Sequence, residues 1–448
     1  MQSISSFSQF TARAISIVGT VLSKFRLFSL ANVFYSTALS LEPKLLYAHV
    51  RIAHTFAEQG NMQKAAEKYK SIVAMQPTLS TVYSLGLFLA RRGNINDDFY
   101  KSILSVIGTP EIIAMINKLS KSPTIYQPSK LWLYFMVFNT LQLETGGINN
   151  FKRTVNHNYF NWTADVDVNT QFQALKNNLS WSDRDLSAAL ESAHFDGNAK
   201  PVEFSKEKWS KYIQFLCMLW EYSSKNDHLR LLDKVKEPAL GNPVAIEYKN
   251  HSVTQDICNS VLEVNTIMQN IVHEPEKRLR VMELGAGHGR IENVMLQTLP
   301  NSQVVIVDIP PALYVSQWYL TSLYPNQRAF KFREFSSYKE VQEEFEESSI
   351  AFLSPAQVEQ LPAKSIDLFI NICSLQEMTS AQIDMWFGHI DRLCKGWFYT
   401  KQYIVSKNGF DDLVIKREDY PVRQHWTVQF NRTNPIFPDL FETIYRIN

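Results

Sequence analysis

The chain has 448 residues, too many for one ordinary hydrophobic core, so two or three domains are expected. Apolar residues make up 45% and charged residues 20%, which excludes a disordered or fibrous chain. A formal net charge of +1 supplies no global field for nucleic acid or an anionic membrane, although it leaves room for local basic patches.

The four cysteines, Cys217, Cys258, Cys373 and Cys394, are widely spaced and form no CxxC pair. That argues against a thiolate zinc site and against a disulfide framework, and it fits a reducing, cytoplasmic setting. No run of about 18 apolar residues occurs, so no membrane-spanning helix is expected. Residues 1–41 carry Arg13, Lys24 and Arg26, many serines and no acid, the composition of an organellar presequence. The same stretch has a second, structural reading.

Along the first 110 residues a period appears. Ala31, Tyr35 and Pro43 recur as Ala65, Tyr69 and Pro77, each thirty-four residues later. The spacing and the order of small residue, aromatic and proline resemble a tetratricopeptide repeat. Ala53, Phe56 and Gly60 stand at first-helix positions of the second copy, but Ile72 stands where the first copy has Ala38. A third copy begins with Gly86, Ala90 and Gly93 and decays at Asp97-Asp98. Segment 1–110 is therefore expected to be all-α. Stacked helix pairs would form its core and offer a face to a protein partner or to a second copy.

Segment 111–270 is expected to be a mainly helical substrate or lid segment. It has a large apolar helix at 129–143, broken by Gly146-Gly147, and another at 206–224 with Trp209, Tyr212, Phe215 and Leu219 at helical spacing. Between them, residues 149–162 are aromatic and polar with no clean period.

From 271 to 448 strands and helices alternate. Strands are expected at Leu279–Leu284, Gln303–Ile309, Ile350–Leu353, Ile366–Ile370 and Trp397–Ile404. Helices are expected at Ile291–Leu299, at 312–324 and at Ala381–Leu393. Strands this apolar are buried on both faces, as in a doubly wound, parallel, Rossmann-like sheet. The acidic stretch 340–347 reads as a solvated helix face.

The first strand runs into Glu283-Leu284-Gly285-Ala286-Gly287-His288-Gly289. Glycines there allow positive φ and close approach to a ligand. The next helix offers unpaired N–H groups. Dinucleotide enzymes use GxGxxG, but position 290 is Arg, so that pattern fails. An acid two residues before a GxGxG loop resembles the first motif of class I S-adenosylmethionine-dependent methyltransferases. That resemblance implies S-adenosylmethionine as cofactor, held by Glu283, Gly285, Ala286, Gly287 and Gly289. Asp308 ends the second strand, where an acid binds ribose hydroxyls in such folds. Ile309 beside it, Ser354 at the end of the third strand and Asn371 at the end of the fourth complete the expected cofactor set.

The run Asn371-Ile372-Cys373-Ser374-Leu375-Gln376-Glu377-Met378 resembles a narrower group, the sugar O-methyltransferases of bacterial polysaccharide gene clusters. So do Phe151-Lys152-Arg153-Thr154 with Tyr159-Phe160, Gly241-Asn242-Pro243, and Tyr420-Pro421 with Trp426. The likeness spans about 130–448 and implies a sugar or glycan hydroxyl as acceptor. Ala286 and His288 depart from it, standing where a glycine and an aromatic are expected.

A sugar hydroxyl is a poor nucleophile, so a general base is needed. Glu377 is the first candidate, and a carboxylate that only orients a loop or a hydroxyl is the competing role. His251 and His157 are the other candidate bases. No compact Asp/His cluster demands a divalent metal, though Glu377 would also suit a ligand's role. Two further readings compete: a methyltransferase acting on a small natural product or a protein, and a repeat scaffold whose transferase domain has lost activity.

Overall fold

The computed structural model describes residues 2–95, 97–156, 159–164, 168–195 and 205–447. The first part is helical: α1 (Gln2–Lys24), α2 (Phe28–Leu41), α3 (Leu46–Glu58), α4 (Met62–Ala74), α5 (Leu79–Arg91), α6 (Asp97–Leu104), α7 (Pro110–Lys121) and α8 (Lys130–Gly146). Several of these helices start on a side-chain cap. Asn61, Thr78, Thr109 and Ser129 each accept a backbone N–H from the first turn.

Ala31, Tyr35 and Ala38 on α2 are fully buried, and so are Ala65, Tyr69 and Ile72 at the equivalent positions of α4. The small alanines let paired helices approach, while each tyrosine fills the groove. Helix α8 is apolar on nearly every side because it is enclosed, with Tyr134, Phe135, Val137 and Phe138 fully buried. It ends where Gly147 takes φ +74.

A second helical group follows: α9 (Val168–Leu179), α10 (Asp183–Ser192), α11 (Lys206–Asn226) and α12 (Gln255–Asn270). Its core holds Phe172, Leu175, Trp209, Tyr212, Phe215 and Leu219, backed by short strands at His194–Phe195, Ile246–Tyr248 and His251–Val253.

The last part carries an eight-stranded sheet. Its strands are β1 (Leu279–Leu284), β2 (Ser302–Val307), β3 (Ala329–Phe330), β4 (Ile350–Leu353), β5 (Ile366–Ile372), β6 (Cys394–Tyr403), β7 (Thr427–Thr433) and β8 (Leu440–Arg446). Helices α13 (Arg290–Thr298), α14 (Ala312–Leu323) and α15 (Ser380–Leu393) connect them. The spatial order is β7-β8-β6-β5-β1-β2-β4-β3. Strand β8 runs antiparallel to both of its neighbours, and the other pairings are parallel. Without the two-residue edge strand β3, the chain order reads 3-2-1-4-5-7-6. This is the Rossmann-like class I methyltransferase fold.

Both sheet faces are buried, as the apolar strands required. Val281, Val304, Ile306, Leu368 and Ile370 belong to one cluster, and Met282, Leu284, Val305, Val307 and Phe369 to the other. Each such side chain contributes about 1.5–3 kcal/mol by leaving water. The first cluster runs without a break from α3–α8 through α12 to the sheet. Leu284 pairs with both Val307 and Asn371, so the carboxyl ends of β1, β2 and β5 finish level. That end of the sheet carries the candidate site.

Candidate functional site

Gly285 leaves β1 at φ +74, and its N–H donates to the Val307 carbonyl at 2.8 Å. A Cβ at Gly285 would stand 2.4 Å from Ser374 Oγ, so a side chain there strikes the loop that follows β5. Gly287, at φ +62, turns the loop outward, and its N–H donates to Asp308 Oδ2 at 2.8 Å. The other Asp308 oxygen accepts the Ile309 N–H at 2.7 Å. Gly289 has a different task. It caps α13 in the left-handed region, and a Cβ there would meet Leu320 of α14 at 2.8 Å. It serves packing and does not line the cavity.

The loop faces a cavity of about 330 Å³. Glu283, Gly285, Ala286, Gly287, Asp308, Ile309 and Glu377 line it together. Its carboxyl groups are electrostatically unusual. Burial pushes Asp308 up to about 7, against the pull of its two N–H donors. Burial pushes Glu377 up to about 8, with Trp132 working the other way and the charge of Asp308 adding to the rise. Glu283 is held well above the usual carboxylate range by burial and by the adjacent Glu292 carboxyl. Both Glu292 oxygens are buried without a hydrogen-bond partner. Two adjacent buried carboxyls are reconciled by a shared proton, and of the two only Glu283 reaches the cavity.

Trp132 is a residue that sequence reasoning did not reach. Its indole N–H donates to Glu377 Oε2 at 2.8 Å, across 245 positions of sequence. Other walls also come from the helical part: Gln127, Asn139, Leu143, Phe151 and Trp162. The segment before α8 is clasped to α15. Gln382 Nε2 donates to the carbonyls of Ile125 and Gln127 at 3.1 and 2.7 Å. Tyr126 donates to Glu359 at 2.7 Å and meets His389 Nε2 at 2.6 Å, so His389 serves this clasp. No local pattern marks these residues, because each matters only through its partner.

Two of the separated motifs of the sequence meet in space. The Lys152 N–H donates to the Gly241 carbonyl at 3.0 Å, and Arg153 donates to the carbonyls of Asn242 and Pro243 at 2.9 and 3.1 Å. A Cβ on Gly241 would lie 2.4 Å from the Phe151 ring. The buried Lys152 ammonium sits 2.6 Å from Glu237 and 3.3 Å from Asp256, and Asp256 lies 3.3 Å from His288 Nε2. The His288 ring packs beside Phe151 and Tyr319, with centroids at 5.2 and 5.6 Å. Where an aromatic was expected, His288 packs as one, and burial lowers its pKa. These contacts brace the glycine loop from outside.

Beside Gly289, three expected site residues do not line the cavity, and a further one lies outside the described residues. The Ser354 backbone N–H and hydroxyl both pair with Gln357 Oε1, in a capping box that turns the side chain away from the cavity. Asn371 is fully buried and ties β5 to the Leu284 carbonyl, Ser374, Leu375 and Gln402, so it supports the site from behind. His251 is exposed and stacks on Trp220, with centroids at 4.5 Å, outside the cavity lining. His157 lies outside the described residues. Trp426 and Tyr420 pack on Phe387, in the core of the opposite sheet face. Among the described residues no group of three or more His, Cys, Asp or Glu could hold a metal ion.

No protein-family model matches this chain, and no curated protein matches it. Solved structures do align with it. The PH0226 protein of Pyrococcus horikoshii OT3 is 14% identical and covers 44% of this chain and 92% of its own, with TM-score 0.31. A SAM-dependent methyltransferase from Aquifex aeolicus is 11% identical over 41% of this chain and 89% of its own, with TM-score 0.27. An S-adenosylmethionine-dependent methyltransferase from Clostridium acetobutylicum is 10% identical over 42% and 90%, with TM-score 0.28. Each aligns with less than half of this chain at a low TM-score, so none bears on what the cavity binds.

Proposed function

We propose that this chain is an S-adenosylmethionine-dependent O-methyltransferase whose acceptor is a sugar hydroxyl. The observation that carries the reading is one cavity holding both the braced glycine loop with Asp308 and the buried carboxyl of Glu377. The residues fit the cofactor. Asp308 suits the ribose hydroxyls, and Glu283 on the cavity wall suits the hydroxyl or ammonium groups of the nucleoside and methionine parts. When bound, S-adenosylmethionine supplies an electrophilic methyl carbon.

The chain's own part is to orient the acceptor and take its proton. Orientation can supply roughly 7–11 kcal/mol of barrier reduction. Glu377, raised to about 8, has the affinity to accept a proton near neutral pH. Trp132 fixes one carboxylate oxygen and so sets the direction of the other. Trp132, Trp162 and Phe437 on the cavity wall provide flat faces against which a sugar ring can pack. In this reading residues 1–110 form tetratricopeptide-like repeats that offer a face to a protein partner or to a second copy.

The apolar side chains of Leu143, Val155 and Leu440 in the same wall favour a second acceptor class, a less polar small molecule. Incubation with labelled S-adenosylmethionine and a panel of free sugars, nucleotide sugars, glycosides and phenolic compounds separates the two. Methylation of the phenolic set alone would remove the sugar reading. Cofactor binding without any turnover would favour the inactive scaffold.

A further inference from the structure

Helix α1 is built inside out. Its inward face carries small residues, Ala12, Ser16, Thr20 and Ser23, all buried. Gly19 belongs to this face, and a Cβ there would stand 2.8 Å from the Tyr35 ring. Polar contacts fix that face. Tyr35 donates to Thr20 Oγ1 at 3.2 Å, and Arg51 donates to Ser23 Oγ at 3.4 Å. Ile15 and Leu22 pack half-buried at the edge of this face.

Its outward face carries the large apolar residues. Phe7, Phe10, Ile17, Val18 and Val21 occupy an arc of roughly 100°, and Phe25 follows in the turn after the helix. Phe7 and Phe10 are each 73% exposed, and Phe25 is 72% exposed. Helix α2 adds Leu30, Val33 and Leu41 at the surface. Ser8 Oγ donates to the Leu41 carbonyl at 2.9 Å, which sets that end of α2 beside the start of the stripe. Exposed apolar patches of this extent mark an interaction surface.

Charge selects the occupant. Arg13 and Lys24 lie along one edge of the stripe, Arg26 follows in the turn, and all three are exposed. No Asp or Glu occurs before Glu42. A second copy docked through the same face would bring no carboxylate to pair with these cations. No helix of the described residues is long and apolar enough to cross a membrane. Small residues inward, large apolar residues outward and a flanking basic edge suit a helix lying in a lipid headgroup layer. We propose that α1 and α2 form an in-plane docking surface for an anionic lipid bilayer. Helix α1, 23 residues or about 34 Å long, lies along the interface.

Vesicle co-sedimentation of the full chain tests this. The chain is expected to pellet with vesicles of mixed phosphatidylcholine and phosphatidylglycerol, and less with phosphatidylcholine alone. The triple variant Phe10→Ser, Val21→Ser, Phe25→Ser is expected to bind at least about tenfold more weakly. So is Arg13→Glu, Lys24→Glu, Arg26→Glu, since each surface cation is worth about fivefold. Unchanged helicity and thermal midpoint show that both variants fold. Failure of the wild-type chain to pellet with anionic vesicles would overturn the proposal. So would undiminished binding by the triple-serine variant, or a wild-type dimer in sedimentation that binds no vesicle.

Discussion

The two sides of the cavity are built in different ways. The glycine-loop side comes from neighbours in sequence: residues 283–288 in one run, with Asp308 at the end of the adjacent strand. The helical side is assembled from Gln127, Trp132, Phe151 and Trp162, which reach the cavity only after α8 packs beside the sheet. Strand ends set the first side and tertiary packing sets the second. Substitutions on the first should therefore act on the cofactor, and substitutions on the second on chemistry and the acceptor.

The largest expected effect comes from Glu377→Gln. Loss of a general base lowers turnover by about 10²- to 10⁴-fold. Cofactor affinity should stay within about twofold in a calorimetric titration. An equal loss of affinity would place Glu377 with the cofactor and erase the division. Next comes Asp308→Ala. Hydrogen bonds to a charged group are worth about 1.5–3 kcal/mol, so cofactor affinity should fall about tenfold or more.

These two residues also show how much was legible. The strand, the glycines and the acid at 308 could be read locally, because one contiguous pattern encodes turn, backbone approach and helix start. Glu377 was found as an acid following the strand that carries Asn371, but its partner Trp132 was not. An indole 245 residues away leaves no periodic or motif signal. Ser354 and Asn371 were placed correctly at strand ends, yet their side chains satisfy neighbouring groups. His251 was chosen by residue type alone, and the fold puts it on Trp220. The hairpin β7–β8 also escaped, since β7 is an exposed, largely polar edge strand whose alternation is short and stops at Asn431.

Trp132→Phe is a smaller and sharper perturbation. The indole N–H favours the Glu377 carboxylate, so its loss should raise that pKa further above about 8. The rising limb of the pH–rate profile should move to higher pH. Activity near neutral pH should drop several-fold and recover in alkaline buffer. A purely structural role for Trp132 would lower the rate without moving the limb.

The smallest effect concerns stability. Asp308 and Glu377 have raised folded-state values, about 7 and about 8, so the folded chain binds their protons more tightly than the unfolded chain. The stability they contribute is present at low pH and is lost as pH rises toward those values. For these two groups, the thermal midpoint should fall between about pH 5 and pH 8. Asp308→Asn with Glu377→Gln should flatten that decline, as measured by calorimetric scans across the range.

Calorimetric titration of the full chain with S-adenosylmethionine, wild type beside Asp308→Ala, bears most directly on the central claim. Expected is one saturable site in the wild-type chain, weakened about tenfold or more by the substitution. No heat of binding at millimolar cofactor, or equal affinity in the two proteins, would contradict it.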